Sequence, residues 1–494
     1  MANDITRLRR RDALRAMAAC TGLIWSLAGA MLLACAACLP LWPDSPGAAA
    51  FLLPAAALLG PGGGLWLACR RPSPPPLSLL DGGVIVLAGW AGCCLAGAWP
   101  FHLALGLDFT RSVFEAVSGF TTTGLSVLDV ERAPRAILLW RSGMQLAGGA
   151  GLAIIMLAAL AGPPRAGLSG AEGRADQLAP HVRTSARLVL AFCGGYAALG
   201  TLAYRWAGMD WFDAVNHAFA AVSTGGFSTR AGSIGAFDAP AVAWVSLPLM
   251  FLGGLNFVTA RLLAAGRLRD VARNSELRCF LLLLGLGTAL LALAGGAPTA
   301  GADGHGLRTA LFEAMSALTT TGFSSVDTPR WSALGVHVLL LGMLVGGGTG
   351  STAGGLKQYR FVLLARSIWW ELRRMVMPRR TVHQPAIYMG RERRFVTDAD
   401  LRRAGAFLSL YLGVLAVGAG ILAAHGYPLD QSLFEFASAQ GTVGLSLGIT
   451  SAAAPDGVLW AEALGMFMGR LEFFIVFAGL ARGWALLRRP LNGA

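Results

Sequence analysis

The sequence predicts an all-α integral membrane fold: ten transmembrane helices and four re-entrant half-helices, arranged as pseudo-fourfold M1–P–M2 repeats. Three observations predict it. Only 14% of the 494 residues are charged and 55% are hydrophobic, whereas a soluble chain carries about 25% charge. Long uncharged runs follow one another along the chain, and the mean hydropathy is +0.58. One short polar pattern recurs four times, each time after a short apolar segment.

The runs cover 16–43, 45–69, 82–107, 142–164, 188–204, 239–260, 279–302, 331–356 and 404–429. A tenth, 463–481, is apolar but carries Arg470 and Glu472. A bilayer core of about 30 Å needs roughly 20 apolar residues in a helix, so ten spans are expected. The first run is too long for a cleaved signal, and a second span follows at once. Residues 1–77 read as a two-helix domain ending in Arg70-Arg71-Pro72-Ser73-Pro74-Pro75-Pro76. Four M1–P–M2 repeats follow at 78–164, 165–275, 276–378 and 379–494.

The recurring pattern is Thr-Thr-Thr-Gly-Leu-Ser at 121–126 and Ser-Thr-Gly-Gly-Phe-Ser at 223–228. It returns as Thr-Thr-Thr-Gly-Phe-Ser at 319–324 and Gly-Thr-Val-Gly-Leu-Ser at 441–446. The shared glycines, Gly124, Gly226, Gly322 and Gly444, lie roughly 100–120 residues apart, a period of domain duplication and not of a solenoid. Before the patterns stand 109–120, 212–222, 309–318 and 429–440. Segments of about 10–12 residues cannot cross a bilayer, so re-entrant half-helices are expected. Non-helical backbone at membrane depth is tolerated where it is buried or lines a watery cavity, so the loops should point inward. Three half-helices carry Phe-Glu (Phe114-Glu115, Phe312-Glu313, Phe434-Glu435); the second has Asn216-His217. These carboxylates either set a negative external potential or brace the half-helices through backbone N–H groups, and the sequence leaves both open.

The net charge of +13 is unevenly placed. Arginines crowd the N-terminus, residues 70–71, 165–187, 261–278 and 366–403, and Arg488-Arg489. With ten spans all of these fall on one face, which the positive-inside rule makes cytoplasmic, together with both termini. No polar domain presents a basic face to nucleic acid. Eight cysteines lie in or beside apolar spans. Cys35 and Cys38 have CxxC spacing but no His or acidic neighbours, so they read as small buried side chains, not a metal or redox site. No paired His, Asp or Cys stands at a membrane face, so nothing supports an enzyme.

Four polar, glycine-bearing loops around one axis suit a dehydrated monovalent cation. Rings of backbone carbonyls bind such an ion without fixed charge, so it can leave again. Glycine permits the required dihedrals and close approach, threonine hydroxyls brace the loop, and half-helix C-termini add a favourable negative dipole end.

With these motifs, with Gln145-Leu-Ala-Gly-Gly-Ala-Gly151 and with 346–357, the chain resembles the Trk/Ktr/HKT potassium-transporter superfamily, most closely its TrkH-type subunits, over roughly 78–487. The two extra N-terminal spans resemble the additional TrkH domain. The resemblance implies potassium held by carbonyls of the two residues before each filter glycine. Those are Thr122 and Thr123 before Gly124, Thr224 and Gly225 before Gly226, Thr320 and Thr321 before Gly322, and Thr442 and Val443 before Gly444. It further implies no cofactor in this chain, a homodimer, a cytosolic TrkA-type regulatory ring carrying the nucleotide, and a bacterial inner membrane. Regulated potassium uptake is the expected function. The alternative is a symporter coupled to sodium or protons, which the lack of an evident intramembrane carboxylate chain disfavours.

Two gate elements are expected. The span 331–356 ends in Gly346-Gly347-Gly348-Thr349-Gly350-Ser351-Thr352-Ala353-Gly354-Gly355, then Leu356-Lys357, the only lysine. Six glycines in ten residues disfavour a regular helix, and Leu356 breaks any Gly-Lys-Ser/Thr phosphate loop. The resemblance makes this stretch an intramembrane loop below the filter. Arg470 is the second element: a charge in a span is costly and faces a polar interior. Glu472, two residues on, does not share its helix face.

Overall fold

The computed structural model describes residues 2–70, 77–151, 182–237, 239–294, 305–377, 385–389 and 392–488. The second half of the run 142–164, the end of 279–302 and much of the arginine-rich 165–187 lie outside them.

Helices dominate. α1 (Ala2–Cys38) and α2 (Ala49–Cys69) pack side by side. Gly22 and Gly62 let the two backbones meet: a Cβ on either would strike the other's carbonyl oxygen. Small residues at a crossing serve this purpose in lipid, where dispersion replaces the hydrophobic drive. α1 also lies on α3 (Leu79–Gly97), where Trp25 Nε1 donates to the Ala88 carbonyl at 3.2 Å. α4 (Trp99–Leu105) continues α3.

The half-helices appear where expected: α5 (Phe109–Phe120) and, after α6 (Arg135–Gly149) and α7 (Val182–Trp206), α8 (Trp211–Val222). Next come α9 (Pro240–Gly254), α10 (Phe257–Ala264), α11 (Leu268–Arg273), α12 (Ser275–Leu293) and the third half-helix, α13 (His305–Leu318). α14 (Ala333–Val345) and α15 (Gln358–Val376) flank the glycine-rich loop. An antiparallel hairpin, β1 (Ala386–Met389) with β2 (Glu392–Phe395), pairs Ala386 with Phe395. It is tied to α12 by Tyr388 N–H donating to Ser275 Oγ. α16 (Asp398–Ala424), the half-helix α17 (Leu429–Gln440), α18 (Asp456–Leu471) and α19 (Phe473–Arg488) complete the order.

Among the described residues, six helices are long and apolar enough to cross a membrane, or eight if each bent pair counts as one span. The runs 239–260, 331–356 and 463–481, read above as continuous spans, each break. α9 and α10 meet at 118° and α18 and α19 at 98°; α14 stops at Val345. The breaks have local causes. Gly253-Gly254 and the cap Asn256, whose side chain accepts from Val258 N–H, end α9 and start α10. Glu472 sits at φ +63, which no α-helix accommodates.

Glycines near the ends of α6, α9 and α18 set backbone against half-helix ends. A Cβ on Gly148 would overlap the carbonyl oxygen of Phe120, the last residue of α5, and one on Gly469 that of Gln440, the last of α17. Gly253 faces Val222 O in the same way. Gly148→Ala therefore forces α6 off α5. Overpacking of this kind costs about 1–3 kcal/mol. A lower Tm in detergent is the expected result; an unchanged Tm would show slack at this contact.

Candidate functional site

Every half-helix ends by one recipe. The carbonyl of the residue at the sixth position before each loop glycine accepts a backbone bond that closes the C-terminus. These bonds run from Thr123 N–H to Ser118 O, Gly225 to Ala220, Thr321 to Ser316 and Val443 to Ser438, all at 2.8–2.9 Å. A second bond, such as Thr122 N–H to Gly119 O at 3.1 Å, completes a Schellman-type end. That end demands a left-handed residue, normally glycine. Here it is threonine four times: Thr122 (φ 55), Thr224 (φ 50), Thr320 (φ 52) and Thr442 (φ 51). A non-glycine residue held there costs on the order of 1–3 kcal/mol, and such strain collects at functional sites.

Two residues on, Gly124 (φ 95), Gly226 (φ 75), Gly322 (φ 79) and Gly444 (φ 100) are again left-handed. The residue between has negative φ in each loop. The four loops close into a ring through these glycines. A Cβ on Gly124 would strike the Gly225 carbonyl oxygen, one on Gly226 that of Thr321, one on Gly322 that of Val443, and one on Gly444 that of Thr123. Loop 1 touches loop 2, 2 touches 3, 3 touches 4, and 4 returns to 1. All twelve predicted loop residues are thus brought together.

Behind the ring, the acidic residues of the half-helices brace backbone, the second of the two roles the sequence left open. Glu115, Glu313 and Glu435 are fully buried. Glu115 accepts from Ser126 Oγ and from the N–H groups of Val127 and Leu128 at 2.6–3.1 Å. Glu313 accepts from Ser325 N–H and Oγ at 2.7 and 2.8 Å. Glu435 accepts from Ser446 Oγ, Leu447 N–H and Thr450 N–H and Oγ1 at 2.6–2.9 Å. His217 substitutes for them, with Nε2 2.9 Å from Ser228 Oγ. Where the other half-helices carry Ser118, Ser316 and Ser438 toward the loop, the second has Ala220. Gln145 of α6 covers that gap: its Nε2 donates to Gly225 O and its Oε1 accepts from Phe227 N–H.

The glycine-rich loop 346–357 lies directly against the strained threonines. Thr224 Oγ1 donates to Thr352 Oγ1 at 3.1 Å, and Gly354 N–H donates to Thr320 Oγ1 at 2.8 Å. A Cβ on Gly354 would overlap Gly441 O and Thr442 Oγ1. The loop is pinned to the α9 break as well, by Gly348 N–H to Gly254 O and Thr352 Oγ1 to Gly253 O. Thr349 N–H reaches the buried carboxylate of Glu276 at 3.3 Å. Gly346, Gly347, Gly350 and Ser351 complete the turn, with Gly346 and Gly350 left-handed (φ 72). The hydroxyls of Thr122 and Thr442 are buried and find no hydrogen-bond partner among the described residues.

Arg470 joins this arrangement. Its guanidinium donates to Thr352 O in the glycine loop and to Gly148 O in α6, both at 2.5 Å. A small cavity beside it is lined by Trp90, Gly148, Ser351, Gly354 and Lys357. Glu472 lies past the end of α18 at the break, so the helix-face spacing from Arg470 does not apply to it. It pairs with Lys357 Nζ at 2.9 Å and Arg360 at 2.7 Å, tying the end of the glycine loop to the break between α18 and α19.

Arg141, Glu276 and Glu462 are buried charged residues that escaped the sequence reading. Arg141 and Glu462 stand immediately before the apolar runs 142–164 and 463–481 and look like span edges. The helices begin earlier, at Arg135 and Asp456, which puts both residues mid-helix. Thr450 Oγ1 lies 2.6 Å from Glu435 and 3.1–3.2 Å from Glu462, so two buried acids share one hydroxyl. No group of three or more His, Cys, Asp or Glu suited to a metal occurs among the described residues.

Four half-helices aiming their C-termini at one carbonyl-rimmed ring define a membrane protein of the cation-transport class. The family model described as TrkH, cation transport protein, matches residues 49–479, and the chain belongs to that family. It is 32% identical over 443 residues to the Trk system potassium uptake protein TrkG of Escherichia coli K12, covering 85% of this chain and 88% of that protein. It is 30% identical over 447 residues to the Trk system potassium uptake protein TrkH of Halomonas elongata, covering 86% and 90%. The crystal structure of the potassium transporter TrkH from Vibrio parahaemolyticus superimposes with a TM-score of 0.81 at 27% identity, over 97% of this chain and 99% of that one.

Gly322→Ala places a methyl on Val443 O and forces alanine to φ 79. Cation flux in liposomes is expected to fall at least about tenfold, since 1.4 kcal/mol already corresponds to that factor. Flux equal to the unsubstituted protein would mean that the ring is not the path.

Proposed function

We propose that this chain takes up potassium across a bacterial cytoplasmic membrane, through a carbonyl-lined filter built from the four loops. The observation that carries the reading is the closed ring of glycine-to-carbonyl contacts. The potassium-uptake names of its relatives in Escherichia coli and Halomonas elongata point to the same ion.

Alternation of left-handed and ordinary backbone turns successive carbonyls toward one side. The carbonyls of Thr122, Thr123, Thr224, Gly225, Thr320, Thr321, Thr442 and Val443 then replace the hydration shell of the ion. Half-helix C-termini add negative potential at the centre, which favours a cation without fixing it. The Thr-Val-Gly of the fourth loop and the four filter glycines support potassium over sodium. The ten-span arrangement with four re-entrant half-helices follows if each broken second helix, α9–α10, α14–α15 and α18–α19, counts as one crossing.

The loop 346–357 and Arg470 act as the gate in this reading. The loop lies against three of the four strained threonines, Thr224, Thr320 and Thr442, and Arg470 sets a positive charge there while holding the loop to α6. The Lys357–Glu472–Arg360 cluster passes movement of α19 or α15 to the loop. The arginine-rich α15 and the β1–β2 hairpin form the cytoplasmic docking face for a nucleotide-binding regulatory ring, and the chain works as a homodimer.

Growth of a potassium-uptake-deficient bacterium at low potassium should be restored, and liposome flux of potassium and rubidium should exceed that of sodium. Equal sodium flux sinks the potassium reading. Arg470→Ala removes two charge-assisted hydrogen bonds, each worth about 1.5–3 kcal/mol. The closed loop should loosen and potassium flux should rise by about tenfold or more. An unaltered rate and potassium affinity would remove Arg470 from the gate.

A further inference from the structure

Arg141 is buried behind the ring, with a side chain only 2% exposed. It stands two turns before Gly148 in α6, and its guanidinium reaches two different loops. On the first, Nε meets Glu115 Oε2 at 3.2 Å and Nη2 donates to Ser126 Oγ at 2.8 Å. On the second, Nη1 donates to Ser228 O at 3.4 Å, and the group lies 3.8 Å from the ring centroid of Phe227. Ser126 comes two residues after Gly124, and Phe227 directly after Gly226. The contacts therefore grip both loops just beyond the ring.

The fold repeats this position and fills it differently. Gly148, Gly253 and Gly469 each face the carbonyl of the last half-helix residue. Seven residues before them stand Arg141, Ser246 and Glu462. Ser246 accepts from Tyr204, and Glu462 shares Thr450 with Glu435. Of these three equivalent sites, only Arg141 spans two loops in the contacts described. A guanidinium is suited to bridging them, because it is planar, always charged and carries five donors in a fixed fork, which a lysine ammonium does not reproduce. Its burial is tolerable because Glu115 neutralises it and carbonyl, hydroxyl and aromatic groups take the remaining face.

We propose that Arg141 is a positioning residue for ion discrimination: it sets the spacing between loops 1 and 2, and so the carbonyl geometry that separates potassium from smaller cations. This rests on the conduction reading above. Unlike the glycine loop and Arg470, Arg141 acts on which ion passes and not on whether the path is open.

The test is parallel potassium and sodium flux in liposomes holding the full-length protein, with monodispersity checked by size exclusion. Arg141→Met should lower the potassium-to-sodium flux ratio by about tenfold or more. Arg141→Lys, which keeps a charge on Glu115 but cannot hold both loops, should fall between Arg141→Met and the unsubstituted protein. Phe227→Leu should shift the ratio in the same direction by a smaller factor. A merely structural residue would reduce the yield of folded protein and leave the ratio alone. Potassium flux with an unchanged ratio in Arg141→Met overturns the proposal and spares the conduction reading. Absence of potassium flux in the unsubstituted protein overturns both. If Arg141→Met is not monodisperse, unchanged ratios in Arg141→Lys and Phe227→Leu overturn the proposal.

Discussion

The architecture depends on one steric constraint: a carbonyl oxygen occupies the place where each loop glycine would carry a side chain. Gly124, Gly226, Gly322 and Gly444 each abut the neighbouring loop so closely that no Cβ fits. That contact closes the ring, and the ring explains what surrounds it. Half-helices must end at one level, so each finishes in the same pair of backbone bonds. The chain must then turn toward the axis, so a threonine is held in a left-handed conformation four times. Strain repeated at four equivalent places is sustained by the surrounding packing, and Glu115, Glu313, Glu435 and His217 supply much of it.

The second helix of each set is shaped by the same demand. To support the ring it must press its backbone on a half-helix end, which requires glycine at Gly148, Gly253 and Gly469. Glycine weakens a helix where it gives close approach. The breaks beside Gly254 and Leu471, and the departure from helix at Gly346, follow from that weakness. In the third set the break expands into the loop 346–357, which lies under the ring. Support of the ring and the loop packed beneath it thus come from one structural feature.

Fourfold architecture does not impose fourfold chemistry. Behind loop 1 stands a buried ion pair, behind loop 2 a histidine and a borrowed glutamine, and behind loop 4 two acids on one threonine hydroxyl. The pairing of Glu435 with Glu462 through the Thr450 hydroxyl is a contact the sequence did not show. A buried carboxylate is tolerated where backbone N–H groups and hydroxyls satisfy it, and each of these loops provides such donors.

Much was legible in the sequence because membranes simplify the problem. Low charge, long apolar runs and a recurring Thr/Gly pattern determined the fold class, the half-helix ends and the loop residues, since lipid leaves few options for backbone polar groups. The same reasoning erred where it used charge to mark span edges. Arg141 and Glu462 delimit apolar runs yet sit inside helices, because their partners come from outside their own helices: Glu115 and the Ser228 carbonyl for one, Thr450 for the other. Lys357 and Glu472 lie 115 residues apart and meet only in the folded chain. Composition and period decide which segments enter the membrane. Tertiary structure alone decides which buried charges find partners, where the second helices break, and that Arg470 reaches beneath a loop from another repeat.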